Sequence, residues 1–219
     1  MSAGRRKMLL GLGAAGVAAA VSGCEAALAP PPEPPALSTS NDAHYAARRD
    51  GQWTLPAVRT DQIPDWLLRQ IVRYPTDEPE GSIVIASDNG LLHLVLPDGY
   101  ALRYGISIGR EGLGWTGEGE IYRTAHWPRW TPTPAMIERD PDLERWAEGQ
   151  PGGPANPLGA RALYLRTIAT GVDEGIRIHG TPEWRSIGRR ASSGCFRMLQ
   201  QDVIDLYGRV GRGTRVLVI

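Results

Sequence analysis

Cysteine is scarce in this 219-residue chain, which holds only Cys24 and Cys195. Cys24 belongs to an N-terminal leader, so no disulfide is expected and no disulfide framework can organise the fold. No grouping of His, Cys, Asp and Glu has the spacing of a metal site, and His93 and His126 stand alone; neither a metal nor a cofactor is expected. Excess charge is also missing: 24 basic residues are matched by 24 acidic ones. That balance speaks against a nucleic-acid partner, which would call for a basic surface. The glycine-rich stretch 109–119 lacks the lysine and context of a phosphate-binding loop and reads as a connection. The longest apolar run, residues 8–21, has 14 residues, short of the roughly 20 that span a bilayer.

What is present begins with an export signal. Arg5, Arg6 and Lys7 precede the apolar run, and residues 21–24 (VSGC) resemble a bacterial lipoprotein processing site with Cys24 as the lipidated residue. Loss of residues 1–23 removes three basic residues and no acid, leaving a net charge of −3. The arginine pair also permits a twin-arginine route. The run 30–35 (PPPEPP) favours extended polyproline geometry, so residues 24–40 read as a tether between a membrane anchor and a folded domain. The expected location is the periplasm or cell envelope. Residues 41–80 read as a strap on the main domain, with a short helix over 65–72 started by Pro64.

From residue 81 strand signals dominate. Runs 82–86 and 91–96 flank Asp88-Asn89-Gly90, and Pro97-Asp98-Gly99 makes the next turn. Along the following strand Tyr100, Leu102, Tyr104, Ile106 and Ile108 share one face while Arg103 and Ser107 take the other, which predicts a meander with one buried face. Residues 127–160, rich in Trp, Pro and Gly, have the length of a binding loop or lid. Strands are expected over 162–167, 175–179 and 214–219.

Cys195 lies sixteen residues after His179, which ends a strand-like run. An unassisted thiol is mostly protonated at neutral pH, and an imidazole is the side chain best suited to take its proton. Gly180, Pro182, Gly188 and Ser192 suit a loop that folds back between them. On spacing alone this is a candidate pair, and a single cysteine taken by itself is more often a small buried hydrophobe. Leu199, Val203, Leu206, Tyr207 and Val210 recur on one helical face ending at Gly211, which predicts a helix directly after Cys195. Its N-terminus would favour a thiolate and its N–H groups could receive an oxyanion.

The run HGT at 179–181, the segment SSGCFRM at 192–198, a helix with Asp202 and a closing GTRV strand resemble the L,D-transpeptidase catalytic domain, the YkuD-like family of cell-wall enzymes. The likeness extends through residues 130–134 (WTPTP) and 156–164 (NPLGARALY) and covers about residues 81–219. It implies a mainly β, sandwich-like fold with a few short helices. It also implies Cys195 as nucleophile, His179 as proton donor and acceptor, and the Gly180 carbonyl as the group orienting His179. Gly194 and Cys195 would supply oxyanion N–H groups, while Ser192 and Arg197 would meet the substrate. The implied substrate is peptidoglycan: a tetrapeptide stem cut before its terminal D-alanine, and an amine acceptor. Water as acceptor would make an L,D-carboxypeptidase, and loss of chemistry would leave a peptidoglycan-binding lipoprotein. Ser193 stands where many members have His, a departure that bears on substrate preference more than on activity.

Overall fold

The computed structural model describes residues 35–37, 39–109, 115–190 and 195–219. The leader, Cys24 and the proline run as far as residue 34 lie outside these residues.

Eleven strands are named in chain order. They are β1 (Arg48–Asp50), β2 (Trp53–Leu55), β3 (Gln70–Arg73), β4 (Ile83–Ala86), β5 (Leu91–Leu96), β6 (Tyr100–Ile108), β7 (Gly117–His126), β8 (Arg161–Thr167), β9 (Arg177–Gly180), β10 (Phe196–Met198) and β11 (Arg215–Val218). Helices are short: α1 (Asn41–Tyr45), α2 (Pro134–Arg139) and α3 (Gln200–Tyr207), with several single 3₁₀ turns. The protein is therefore mainly β, as its alternating apolar pattern requires. β1 and β2 form a separate hairpin; the other nine strands run β10-β9-β8-β7-β11-β4-β5-β6-β3.

That sheet closes on itself. β10 pairs parallel with β9 and antiparallel with β6 (Phe196 opposite Ile108, Met198 opposite Ile106), so eight strands form a barrel-like ring and β3 lies beside β6. Phe196 and Met198 are fully buried in the interior with Tyr104, Ile106, Leu163, Ile178 and Val216. Each such side chain contributes about 1.5–3 kcal/mol by leaving water. Arg197, between them, is only partly buried and lines two neighbouring cavities, following the strand's period of two.

The expectation of a meander with one buried face is corrected, because both faces of β6 are covered. Ala101 and Ser107, on the face away from Leu102 and Tyr104, are wholly buried. The cover is the 41–80 segment: Tyr45, Ile63, Leu67 and Leu68 join Ile187 and Leu199 in a second apolar cluster. A side chain at Gly105 would stand 2.4 Å from the Leu67 carbonyl oxygen, so only glycine admits this approach. The helix expected over 65–72 is also corrected. Only Asp65–Leu67 makes one 3₁₀ turn, and Gln70–Arg73 extends to pair with β6. Ile71 and Val72, both β-branched, favour the pleated conformation once an edge is offered.

Polar groups fix the 41–80 segment to α3. His44 Nε2 lies 2.8 Å from Asp202 Oδ1, with both residues buried. Arg69, 1 % exposed, forms an ion pair with Asp205 at 3.3 Å, and the Tyr104 hydroxyl donates to the same carboxylate at 2.7 Å.

Candidate active site

β9 sets the alternation on which the site rests. Ile176 and Ile178 pack into the core, while Arg177 and His179 face a cavity of about 650 Å³ that Cys195 and Arg197 also line. Parallel pairing places Arg197 beside His179. The structure thus brings Cys195, His179 and Arg197 to one cavity, although sixteen residues separate the first two in sequence.

His179 is 3 % exposed, and its Nδ1 lies 2.7 Å from the Gly180 carbonyl oxygen. A carbonyl only accepts, so Nδ1 carries the proton and Nε2 holds the lone pair. Burial lowers the imidazole pKa to about 4, with Arg197 and Arg177 adding to the effect and the Gly180 and Pro157 carbonyls opposing it. At neutral pH the ring is uncharged and able to take a proton. The Cys195 thiol, buried, donates to the Gly175 carbonyl at 3.2 Å.

Gly180 is required by packing. A Cβ there would stand 2.5 Å from Gln200 Oε1 and 3.0 Å from Val203 Cγ1, because the first turn of α3 lies against the strand. Gln200 Oε1 in turn accepts from the Ala160 N–H at 2.8 Å, tying the 156–160 loop to the first turn of α3. Asn156, 1 % exposed, organises that loop. Its amide donates to the carbonyls of Gln150 (3.2 Å) and Pro151 (3.0 Å), and its Oδ1 accepts from the Leu158 N–H (2.9 Å). Sequence reasoning alone gives Asn156 and Gln200 no role. An asparagine just before a proline in a glycine-rich loop is the available signal for the first.

The expected helix does not follow Cys195 directly. Phe196–Met198 is a strand, and α3 begins at Gln200 and ends at Tyr207, before Val210 and Gly211. Barrel closure claims those three residues, and the helix terminus is five positions beyond the thiol. A thiolate stabilised by that terminus is therefore not the arrangement present, since the effect fades within a turn. Ser192, Ser193 and Gly194 lie outside the described residues, as does Cys24. Among the described residues no group of His, Cys, Asp and Glu could hold a metal ion, and no helix is long and apolar enough to cross a membrane.

The 127–160 region supplies one wall: Arg129, Trp130, Met136, Pro157 and Leu158 line the cavity. The β1–β2 hairpin supports this wall from behind. Asp50 accepts from both terminal nitrogens of Arg161 at 2.7 Å and from Trp127 Nε1 at 2.8 Å. Arg197 donates to Glu183 at 3.1 Å and borders a second cavity of about 530 Å³, with Trp130, Met136 and Pro157 shared between the two.

The sequence pattern of the L,D-transpeptidase catalytic domain (YkuD) matches residues 80–218. A putative L,D-transpeptidase of Fuscovulum blasticum is 43 % identical over 100 residues, covering 46 % of this chain and 48 % of the relative. The probable L,D-transpeptidase YbiS of Escherichia coli K12 is 32 % identical over 155 residues, covering 66 % of this chain and 46 % of the relative. The chain spans about half the length of these curated relatives. A crystal structure from Brucella melitensis, described as a probable carnitine operon oxidoreductase, is 45 % identical, with a TM-score of 0.49, covering 74 % of this chain and 99 % of that one.

Proposed function

This chain belongs to the L,D-transpeptidase catalytic-domain family, matched over residues 80–218, and from that premise we propose that it transfers peptidoglycan stem peptides through an acyl-enzyme on Cys195. The observation that carries this reading is the 2.7 Å bond from His179 Nδ1–H to the Gly180 carbonyl, in a cavity lined also by Cys195 and Arg197. It leaves the other ring nitrogen unprotonated, as a general base requires.

The Cys195 thiol gives its proton to His179 Nε2 as sulfur attacks the carbonyl between the third stem residue and the terminal D-alanine. The tetrahedral intermediate collapses with cleavage of the C–N bond. The leaving amine takes the proton from His179, D-alanine departs and a thioester remains. An acceptor amine then attacks the thioester carbonyl, its proton passes through His179 back to the thiol, and a new amide forms. Water in place of the amine completes an L,D-carboxypeptidase cycle. Backbone N–H groups of Gly194 and Cys195 receive the oxyanion, each such donor being worth about 3 kcal/mol. Ser192 contacts substrate, and Arg197 offers a carboxylate a two-pronged donor. Burial favours the neutral imidazole, the form that accepts the thiol proton during attack. In the cell, lipid on Cys24 tethers the domain to a membrane of the envelope, within reach of the wall.

The test is intact-mass and product analysis with a disaccharide-tetrapeptide, beside Cys195→Ala. Release of D-alanine with a cross-linked product and a transient adduct on Cys195 is expected. Release without cross-linking selects the carboxypeptidase. No release, with retained binding to sacculi, would make the domain a tethered binder.

A further inference from the structure

Strand register sorts the cavity face into two rows. One runs Arg197, His179, Ala162, Ala125 across β10, β9, β8 and β7. The other, offset by two residues on each strand, runs Arg177, Tyr164, Arg123, and the period of two sets Cys195 at its β10 end. The guanidinium groups of Arg123 and Arg177, carried by the strands on either side, lie 4.4 and 4.7 Å from the Tyr164 ring centroid. Tyr164 is 7 % exposed. Arg177 has Asp173 at 2.8 Å, whereas Arg123 has no carboxylate partner among the described residues. Glu174, the cavity's acidic lining residue, accepts from the Thr167 hydroxyl at 2.9 Å. One end of the cavity thus holds two cations against one ring, with Asp173 paired to Arg177 and Glu174 on the lining.

Resting on the transpeptidase reading above, we infer that Arg123, Tyr164 and Arg177 form a subsite for a carboxylate on the side chain of the donor's third stem residue, with Glu174 beside it for the attached ammonium group. Reach decides which carboxylate. Adjacent strands are about 4.8 Å apart, so β8 and β7 lie roughly 10 and 14 Å from the strand that begins after Cys195. The terminal D-alanine carboxylate is three bonds from the carbonyl under attack, about 4 Å, and stays near the nucleophile. A diamino acid with a distal carboxylate places it six bonds away, roughly 7–8 Å, within reach of the long side chains of Arg123 and Arg177 that flank Tyr164. A third residue ending in a bare ammonium group would bring a cation to two guanidinium groups and be disfavoured. The subsite therefore selects a stem whose third residue ends as a free amino-acid zwitterion.

The experiment compares three tetrapeptide donors, alike except for a third residue of diaminopimelate, its side-chain amide or lysine. Initial rates of D-alanine release are measured for the wild-type chain, Arg123→Gln and Arg123→Lys. Wild type is expected to favour the free carboxylate over the amide by about 10- to 100-fold in kcat/KM, the range of a charge-assisted hydrogen-bond pair. Arg123→Gln should bring that ratio towards one, chiefly through KM, and Arg123→Lys should keep part of it. Equal use of the carboxylate and amide donors by wild type would overturn the inference while leaving the transpeptidase reading intact. So would an equal loss on all donors in Arg123→Gln, which marks a structural role or contact with the shared terminal carboxylate. If no donor loses D-alanine and no Cys195 adduct forms, both readings fail.

Discussion

Replacing His44 with alanine tests the attachment of the 41–80 segment to α3, far from the reacting atoms. The imidazole lies 2.8 Å from Asp202 Oδ1, and the two side chains are 4 % and 0 % exposed. A hydrogen bond to a charged group contributes about 1.5–3 kcal/mol. Stranding the Asp202 carboxylate in the interior costs more than the lost bond, and brings the expected destabilisation to about 3–5 kcal/mol. Tyr45 and Arg69 still favour the Asp202 carboxylate, which sets the loss towards the lower part of that range, although the ion pair of Arg69 is with Asp205 at 3.3 Å. With a urea m-value of about 2 kcal/mol/M, the denaturation midpoint should fall by roughly 1.5–2.5 M. Tryptophan fluorescence reports the transition. The deficit should narrow as pH falls, because burial already raises the Asp202 carboxyl pKa and protonation removes the stranded charge. His44→Ala combined with Asp202→Asn should be no less stable than His44→Ala alone. A midpoint shift below about 0.5 M, or additive losses in the double variant, would refute a buried pair as the fastening.

Further outcomes follow from the site and its supports. The acid limb of kcat/KM for Cys195 acylation by a penem should have an apparent pKa near 4, the value to which burial lowers His179; activity lost at pH 6.5 would contradict it. Stability should fall as pH drops from about 6.5 towards 4, because His93 is also lowered to about 4 by burial while unfolded histidine protonates; flat urea midpoints across that window would contradict it. Asp50→Asn should cost about 3 kcal/mol in urea unfolding by removing the charge partner of the buried Arg161 guanidinium, two of whose three 2.7 Å bonds end on that carboxylate. Gly180→Ala should lower stability by about 1–3 kcal/mol and slow acylation, since its methyl meets Gln200 and Val203. Unchanged kinetics would show that the strand yields without moving His179.

Much of the barrel was legible because its strands alternate cleanly and its turns carry Asn-Gly and Asp-Gly signals: β4, β5 and β6 fall where the pattern put them. HGT and CFRM drew attention to His179, Cys195 and Arg197, which the structure brings to one cavity. The period of two also placed Arg177 and His179 on the cavity face. What did not show was anything decided by partners distant in sequence. The 65–72 stretch has helical apolar spacing, yet β6 offered an edge and drew Gln70–Arg73 into the sheet. Residues 196–198 read as the lead-in to a helix, but Ile106 and Ile108 claim them as a strand. His44 and Asp202 lie 158 positions apart, and neither carries a local mark of the other.

Closure of the ring also governs when reactivity can appear. Phe196 pairs with Ile108 across 88 positions, and β11, later in the chain than the thiol, must enter between β7 and β4 before the ring is complete. Contacts of such long sequence separation form late, after the chain has lost most of its freedom. A nascent chain short of residue 218 would carry the thiol and the imidazole without the scaffold that aligns them. Alignment of the Cys195 thiol with the His179 imidazole is therefore a late event of folding, one that waits on the last strand of the ring.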